Sequence, residues 1–176
     1  AWKNEIESGF SYGSNTQIEI SFSKLIMSIY KSIEMVRIMS SGTEATMTAV
    51  RLARKYTKKV KLLKFDGSYH GHNDNLLANI FSSSEVDGIL FSVASEVLIA
   101  RFNDFDSVDK LFELHGHNIA CVIIEPILAN INLVLPNYDF LLKLRNICDK
   151  YNSLLIFDEI VTGFRVCLSG AQGKYN

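Results

Sequence analysis

The sequence predicts an α/β domain with a largely parallel sheet flanked by helices. Short apolar runs alternate with amphipathic stretches along the chain, the order expected of strand–helix units. The run Ile119–Ile124 is continuously apolar, as a strand covered on both faces is. With 176 residues, 48% of them hydrophobic and 21% charged, the chain can bury one sizeable core.

The elements follow in order. Residues 16–30 carry Ile18, Phe22, Leu25, Ile26 and Ile29 as a helical stripe. Val36–Met39 is a short strand candidate. Residues 43–56 place Ala45, Ala49, Val50, Leu52, Ala53 and Tyr56 on one helical face. Val60–Phe65 is the next strand, and 107–114 reads as a helix. After Ile119–Ile124, residues 138–151 form a helix with Phe140, Leu141, Leu144, Ile147 and Cys148 inward. Leu154–Phe157 is a further buried strand. Right-handed crossovers between such strands give a parallel sheet, and ligands collect at the carboxyl ends of its strands.

Composition excludes several function classes. Net charge is -1, from 18 basic and 19 acidic residues, so there is no electrostatic footprint for nucleic acid or an anionic membrane. No apolar run reaches membrane-spanning length. Cys121, Cys148 and Cys167 form no CxxC pair, which fits a reducing compartment and core thiols. The start, Ala1-Trp2-Lys3, has no initiator methionine, and the end has no closing element. We therefore expect residues 1–176 to be a partial domain truncated at both ends.

The candidate site residues stand just after the apolar runs. Ser41 and Glu44 have capping-box spacing, and Gly42 lets a ligand approach the backbone. Free amides at a helix start make an anion site; a plain helix cap is the alternative. Asp66-Gly67-Ser68-Tyr69-His70-Gly71-His72 follows the next run. Tyr69 can stack on a flat ring. His70 and His72 have no further Cys/His cluster at zinc spacing, so no metal is expected, and a polar loop is the plainer reading. Glu125 and Asp158 stand at two further strand ends, where a partly buried carboxylate needs a partner. An anion cradle, a stacking ring and a buried carboxylate are what a cofactor with a phosphate and a protonated ring nitrogen requires.

Met35-Val36-Arg37, Ser41-Gly42-Thr43-Glu44-Ala45, Arg51-Leu52-Ala53-Arg54, Phe65-Asp66-Gly67, Tyr69-His70-Gly71-His72 and Asp158-Glu159-Ile160-Val161-Thr162-Gly163-Phe164-Arg165 together resemble the class III pyridoxal-phosphate-dependent aminotransferases. The Tyr-His-Gly-His turn and the Thr-Gly-Phe-Arg ending resemble the glutamate-1-semialdehyde 2,1-aminomutase branch more than ornithine or 4-aminobutyrate aminotransferases. The resemblance runs from about Ile6 to Tyr175. It implies part of the large domain of a fold type I transferase, a homodimer, and a cytoplasmic or plastid setting. The implied cofactor is pyridoxal 5'-phosphate, cycling through its pyridoxamine form. The implied reaction converts glutamate-1-semialdehyde to 5-aminolevulinate, for tetrapyrroles. Gly42 and Thr43, with Ser41 beside them, match the phosphate turn. Tyr69 matches the stacking tyrosine, Asp158 the ring-nitrogen partner and Ile160 the residue on the other ring face. Glu125 and Asn130 match positions near the cofactor.

The chain also departs from the family. The Schiff-base lysine is expected beyond Asn176, and Lys174 does not match it, so the chain alone is expected to be inactive. Residues 78–101 correspond to a glycine-rich gating segment but are poor in glycine. Ala129 and Asn132 replace glycines beside Asn130, and Ser40 stands where Asn is usual. Another class III aminotransferase and a non-catalytic remnant remain as alternatives.

Overall fold

The computed structural model describes residues 3, 6, 7, 9, 12–78 and 88–175, in two compact units, Ala1–Ile38 and Met39–Asn176. In the first, helix α1 (Gln17–Ile29) starts at a full capping box. The Glu19 amide donates to Thr16 Oγ1 and the Thr16 amide to Glu19 Oε2, so two helix-start donors are satisfied reciprocally. Its expected stripe is not a buried face: Ile18, Phe22 and Leu25 are exposed. Val36–Met39 is not a strand either. A strand needs a hydrogen-bonding neighbour, and this stretch has no sheet partner among the described residues.

The second unit is built on a four-stranded sheet of order β2-β1-β3-β4, parallel throughout. Its strands are β1 (Lys61–Phe65), β2 (Val97–Ala100), β3 (Ile119–Ile124) and β4 (Leu154–Phe157). Helix α2 (Gly42–Thr57) precedes β1. The short helices α3 (Asp74–Leu77) and α4 (Phe91–Ala94) lie between β1 and β2. Helices α5 (Phe105–His115) and α6 (Phe140–Lys150) make the next two crossovers, and α7 (Gly170–Tyr175) ends the described chain. In the central register Leu63 faces Leu98 on one side and Val122 on the other, and Val122 faces Leu155.

Strand alternation divides the core. Leu63 and Phe65 pack with Val108, Phe112, Phe140 and Leu144 from α5 and α6. Phe65, Phe102 and Phe140 meet edge-on, with ring centroids 5.4–5.9 Å apart, a favoured aromatic geometry. Leu62 packs on the other face with Val50 and Ala53 of α2, and with Cys121 and Ile123. Helix α2 thus buries Thr46, Val50 and Ala53, while Leu52 and Tyr56, expected on the inner face, are exposed. The residues of α6 expected inward are all buried. Strand β4 is half-buried rather than covered, because it is the sheet edge. Burial pushes the Cys121 and Cys148 thiols up to about 12, as core residues.

Within the gating segment expected at 78–101, residues 79–87 lie outside the described residues. The remainder includes β2, a strand not expected from the sequence because Val97–Ala100 falls within the stretch matched to the gating segment.

The strand order fixes where a ligand can bind. From β1 the chain crosses to β2 on one side; from β2 it crosses back to β3 on the other. The reversal falls between β1 and β3, and a parallel sheet opens a crevice there, beyond the carboxyl ends of its strands.

Candidate functional site

A cavity of about 320 Å³ lies at those carboxyl ends, and Ser41, Gly42, Thr43, Tyr69, Glu125, Asn130, Asp158 and Ile160 all line it. The structure therefore gathers these eight residues at one place, while Glu44 and His72 stay outside the lining. No group of described residues could hold a metal ion, and no lysine is among the lining residues.

Helix α2 points its N-terminus into the cavity. Ser41 is its N-cap, and Ser41 Oγ accepts from the Glu44 amide at 3.2 Å. The Glu44 carboxylate reaches past the cap, accepting from the Ser40 amide at 2.9 Å, so the expected box is closed one residue early. The Gly42 and Thr43 amides, first in the helix, have no carbonyl one turn back to receive them, and the helix dipole favours an anion beside them. A Cβ on Gly42 would sit 3.1 Å from Ile160 Cδ1, so the glycine keeps that approach open.

The loop after β1 packs directly on this helix start. Gly71 has φ +100°, and a Cβ there would lie 2.8 Å from Thr43 Cα. The His72 amide donates to Thr43 Oγ1, and Thr46 Oγ1 donates to the His70 carbonyl at 2.7 Å. Glu125, after β3, anchors the same loop. Its Oε1 accepts from the Tyr69 amide and Asn130 Nδ2, and its Oε2 from the Ala129 amide, each at 2.9 Å. Glu125 is thus a clamp between two wall segments, with its oxygens already engaged by the protein.

Asp158, after β4, is held on both oxygens: Oδ2 lies 2.8 Å from His70 Nδ1, and Oδ1 accepts from the Ile160 amide at 3.1 Å. His70 Nε2 is buried without a partner among the described residues. A buried unpartnered nitrogen is costly, and one on a cavity wall marks a place for a polar ligand atom. Tyr69 and Ile160 stay 47% and 62% exposed, leaving a ring and an aliphatic side chain free to cover a flat ligand.

His70, which the sequence places in a polar loop, lines the cavity, as do Thr46, Ile127 and Val161, which the sequence does not single out. The signal available for His70 was indirect: a carboxylate at the Asp158 strand end needed a buried partner, but nothing local named it.

These features fit a cofactor with an anionic end, a flat ring and a protonated ring nitrogen. The profile of the family described as "Aminotransferase class-III" matches residues 8–175. A glutamate-1-semialdehyde 2,1-aminomutase of Wigglesworthia glossinidia brevipalpis is 52% identical over 96% of this chain and 40% of its own length. One of Thermosipho africanus is 48% identical over 99% of this chain and 43% of its own. A solved structure described as a "transaminase with PLP bound" superposes with a TM-score of 0.92 at 32% identity, over 99% of this chain and 42% of that one. The chain thus spans about two-fifths of the length of the curated relatives it matches, and its parallel sheet and helices are those of the fold type I transaminases. The chain belongs to the class III aminotransferase family.

Proposed function

We propose that these residues are the cofactor-holding part of a pyridoxal-phosphate-dependent aminomutase that converts glutamate-1-semialdehyde to 5-aminolevulinate, on the route to tetrapyrroles. The observation that carries this is the convergence of the α2 amides, Tyr69, Ile160 and Asp158 on one cavity. The aminomutase relatives, near 50% identity, favour this reaction within the family.

Each residue has a physical role in that reading. The Gly42 and Thr43 amides hold the phosphate at the positive end of α2. Tyr69 and Ile160 cover the two faces of the ring and exclude water from it. Asp158 accepts the ring N–H and holds that proton in place, and His70 keeps the carboxylate oriented. Glu125 fixes the wall on which Tyr69 and Asn130 stand. When bound, pyridoxal phosphate supplies the electron sink for chemistry at the amino-bearing carbon. No lysine lines the cavity, so the reading assigns the tethering lysine to a part of the protein outside this chain, and the chain alone is inactive. Homodimer formation belongs to the same reading, favoured by the exposed Leu133, Leu135 and Tyr138 near the Asn130 wall. So does a cytoplasmic setting, favoured by the unpaired Cys121, Cys148 and Cys167.

The test is to express the complete protein, load it with pyridoxal phosphate and measure 5-aminolevulinate formed from the semialdehyde. Product formation supports the reading; bound cofactor without product rejects the aminomutase. A second reading, a transaminase with another amino donor, is favoured by the glycine-poor sequence at 78–101. Spectroscopic half-reactions with a panel of amino acids decide it, and reaction with none counts against it.

A further inference from the structure

Lys64 is an anomaly in the core. It sits in β1 between Leu63 and Phe65 and is 0% exposed. Its face of the strand is that of Leu62, which packs against Val50, Ala53, Leu76 and Ile123. A valine or leucine would fill this place at no cost in charge, whereas burying an ammonium group costs several kcal/mol. No carboxylate lies within ion-pair distance of it among the described residues. Among the described residues the lysine makes one hydrogen bond: Nζ donates to the carbonyl of Leu76, in α3.

That carbonyl lies at the far end of the loop that walls the cavity. The near half of the loop is anchored by the Tyr69, His70 and His72 bonds to Glu125, Thr46, Asp158 and Thr43. Beyond His72, among the described residues, the loop's side-chain ties to other elements are two, both from cations: Arg54 Nη2 to Asn75 Oδ1 at 3.1 Å, and Lys64 to Leu76. Arg54 is partly exposed on α2 and also donates to the Val60 carbonyl. Lys64 is the interior tie, and it closes the loop back onto the strand from which it springs.

We propose that Lys64 is a positioning residue for the cavity: its ammonium group clasps α3 to β1 and so sets the placement of Tyr69 and His70 against the cofactor. This rests on the pyridoxal-phosphate reading above. Lys64 touches neither ligand nor reacting atoms; it acts through the loop. An apolar residue would pack β1 but offer the Leu76 carbonyl no donor. Only a long donor reaching out of the strand does both.

The test uses the complete protein with pyridoxal phosphate. Lys64→Met keeps the stem and removes the donor. Leu62→Ala, a deletion on the same face of the same strand, is the control for general core damage. Lys64→Met is expected to weaken cofactor binding by about tenfold or more, a hydrogen bond's worth of affinity. It should also alter the circular dichroism of the bound cofactor and speed amide exchange across residues 69–78, with β3 unchanged. Leu62→Ala should lower the melting temperature without changing the dichroism. The proposal is overturned if Lys64→Met leaves dichroism and loop exchange as in the parent, or if both variants weaken binding in proportion to lost stability. If Lys64→Met does not fold, Lys64→Leu, which also removes the donor and matches the apolar neighbours on that face, is read against the same two outcomes. If the unaltered protein binds no pyridoxal phosphate, the functional reading fails by itself, and loop exchange alone then decides the clasp.

Discussion

His70 Nδ1 and Asp158 Oδ2 stand 2.8 Å apart in the interior, joined across 88 positions of sequence. The bond links the loop after β1 to the end of β4, so the two sides of the cavity are set relative to each other by one contact. Replacing His70 with Phe keeps the ring and leaves Asp158 Oδ2 without its partner. The chain should lose about 1–3 kcal/mol of stability, read as a lower urea midpoint at unchanged m-value. It should also bind pyridoxal phosphate more weakly. An unchanged midpoint would show that the pair contributes nothing.

Gly71 and Gly88 make a matched comparison. Both have positive φ, +100° and +84°, but a Cβ on Gly71 would strike Thr43 while one on Gly88 would meet none of the described residues within 4 Å. Gly88→Ala should cost only the backbone term, about 1 kcal/mol. Gly71→Ala adds a clash with backbone and should cost clearly more, with cofactor binding lost as the start of α2 is displaced. Equal effects in thermal melts would contradict this packing.

Glu125→Gln tests the clamp. The carboxylate receives three donors, whereas an amide offers one acceptor and turns an NH2 group toward at least one of them. Stability should fall by about 2 kcal/mol, and exchange of the Tyr69 and Ala129 amides should quicken together. If only one of the two amides responds, Glu125 does not couple the two wall segments.

Burial lowers the Lys64 ammonium from 10.5 to about 8. Between those values the unfolded chain keeps a proton that the folded chain has lost, so stability rises with pH across the window. The rise is at most about 3 kcal/mol. Cys121 and Cys148, raised from 9.0 to about 12, act in the opposite direction at higher pH. The informative quantity is therefore the difference between the parent and Lys64→Met. The parent's stability relative to Lys64→Met should rise between about pH 8 and about pH 10.5; a constant difference would show that Lys64 does not titrate there.

Much of the fold was legible locally. Ile119–Ile124 and Leu154–Phe157 are strands at their expected bounds, because unbroken apolar runs of that length have few other stable uses. The inward face of α6 followed from its own periodicity, and Ser41 from cap chemistry. Ser41, Gly42, Thr43, Tyr69, Glu125 and Asp158 stand where helix starts and strand ends can be placed without knowing how the strands pair, whereas Asn130 and Ile160 are named only through the family resemblance.

What remained was decided by tertiary structure. Val36–Met39 has strand-like composition, but strands exist only in pairs and it has no partner among the described residues. Leu52 and Tyr56 match the helical period of α2, yet the sheet selects the Thr46–Val50–Ala53 face. The buried lysine of β1 makes sense only once Leu76 is seen folded back over it. The order β2-β1-β3-β4 places the crevice, and His70 reaches Asp158 only because that order brings their strand ends together. Local periodicity and capping act over a few residues and can be read in sequence. Pairing between distant strand ends depends on the whole sheet, and no short stretch of the chain encodes it.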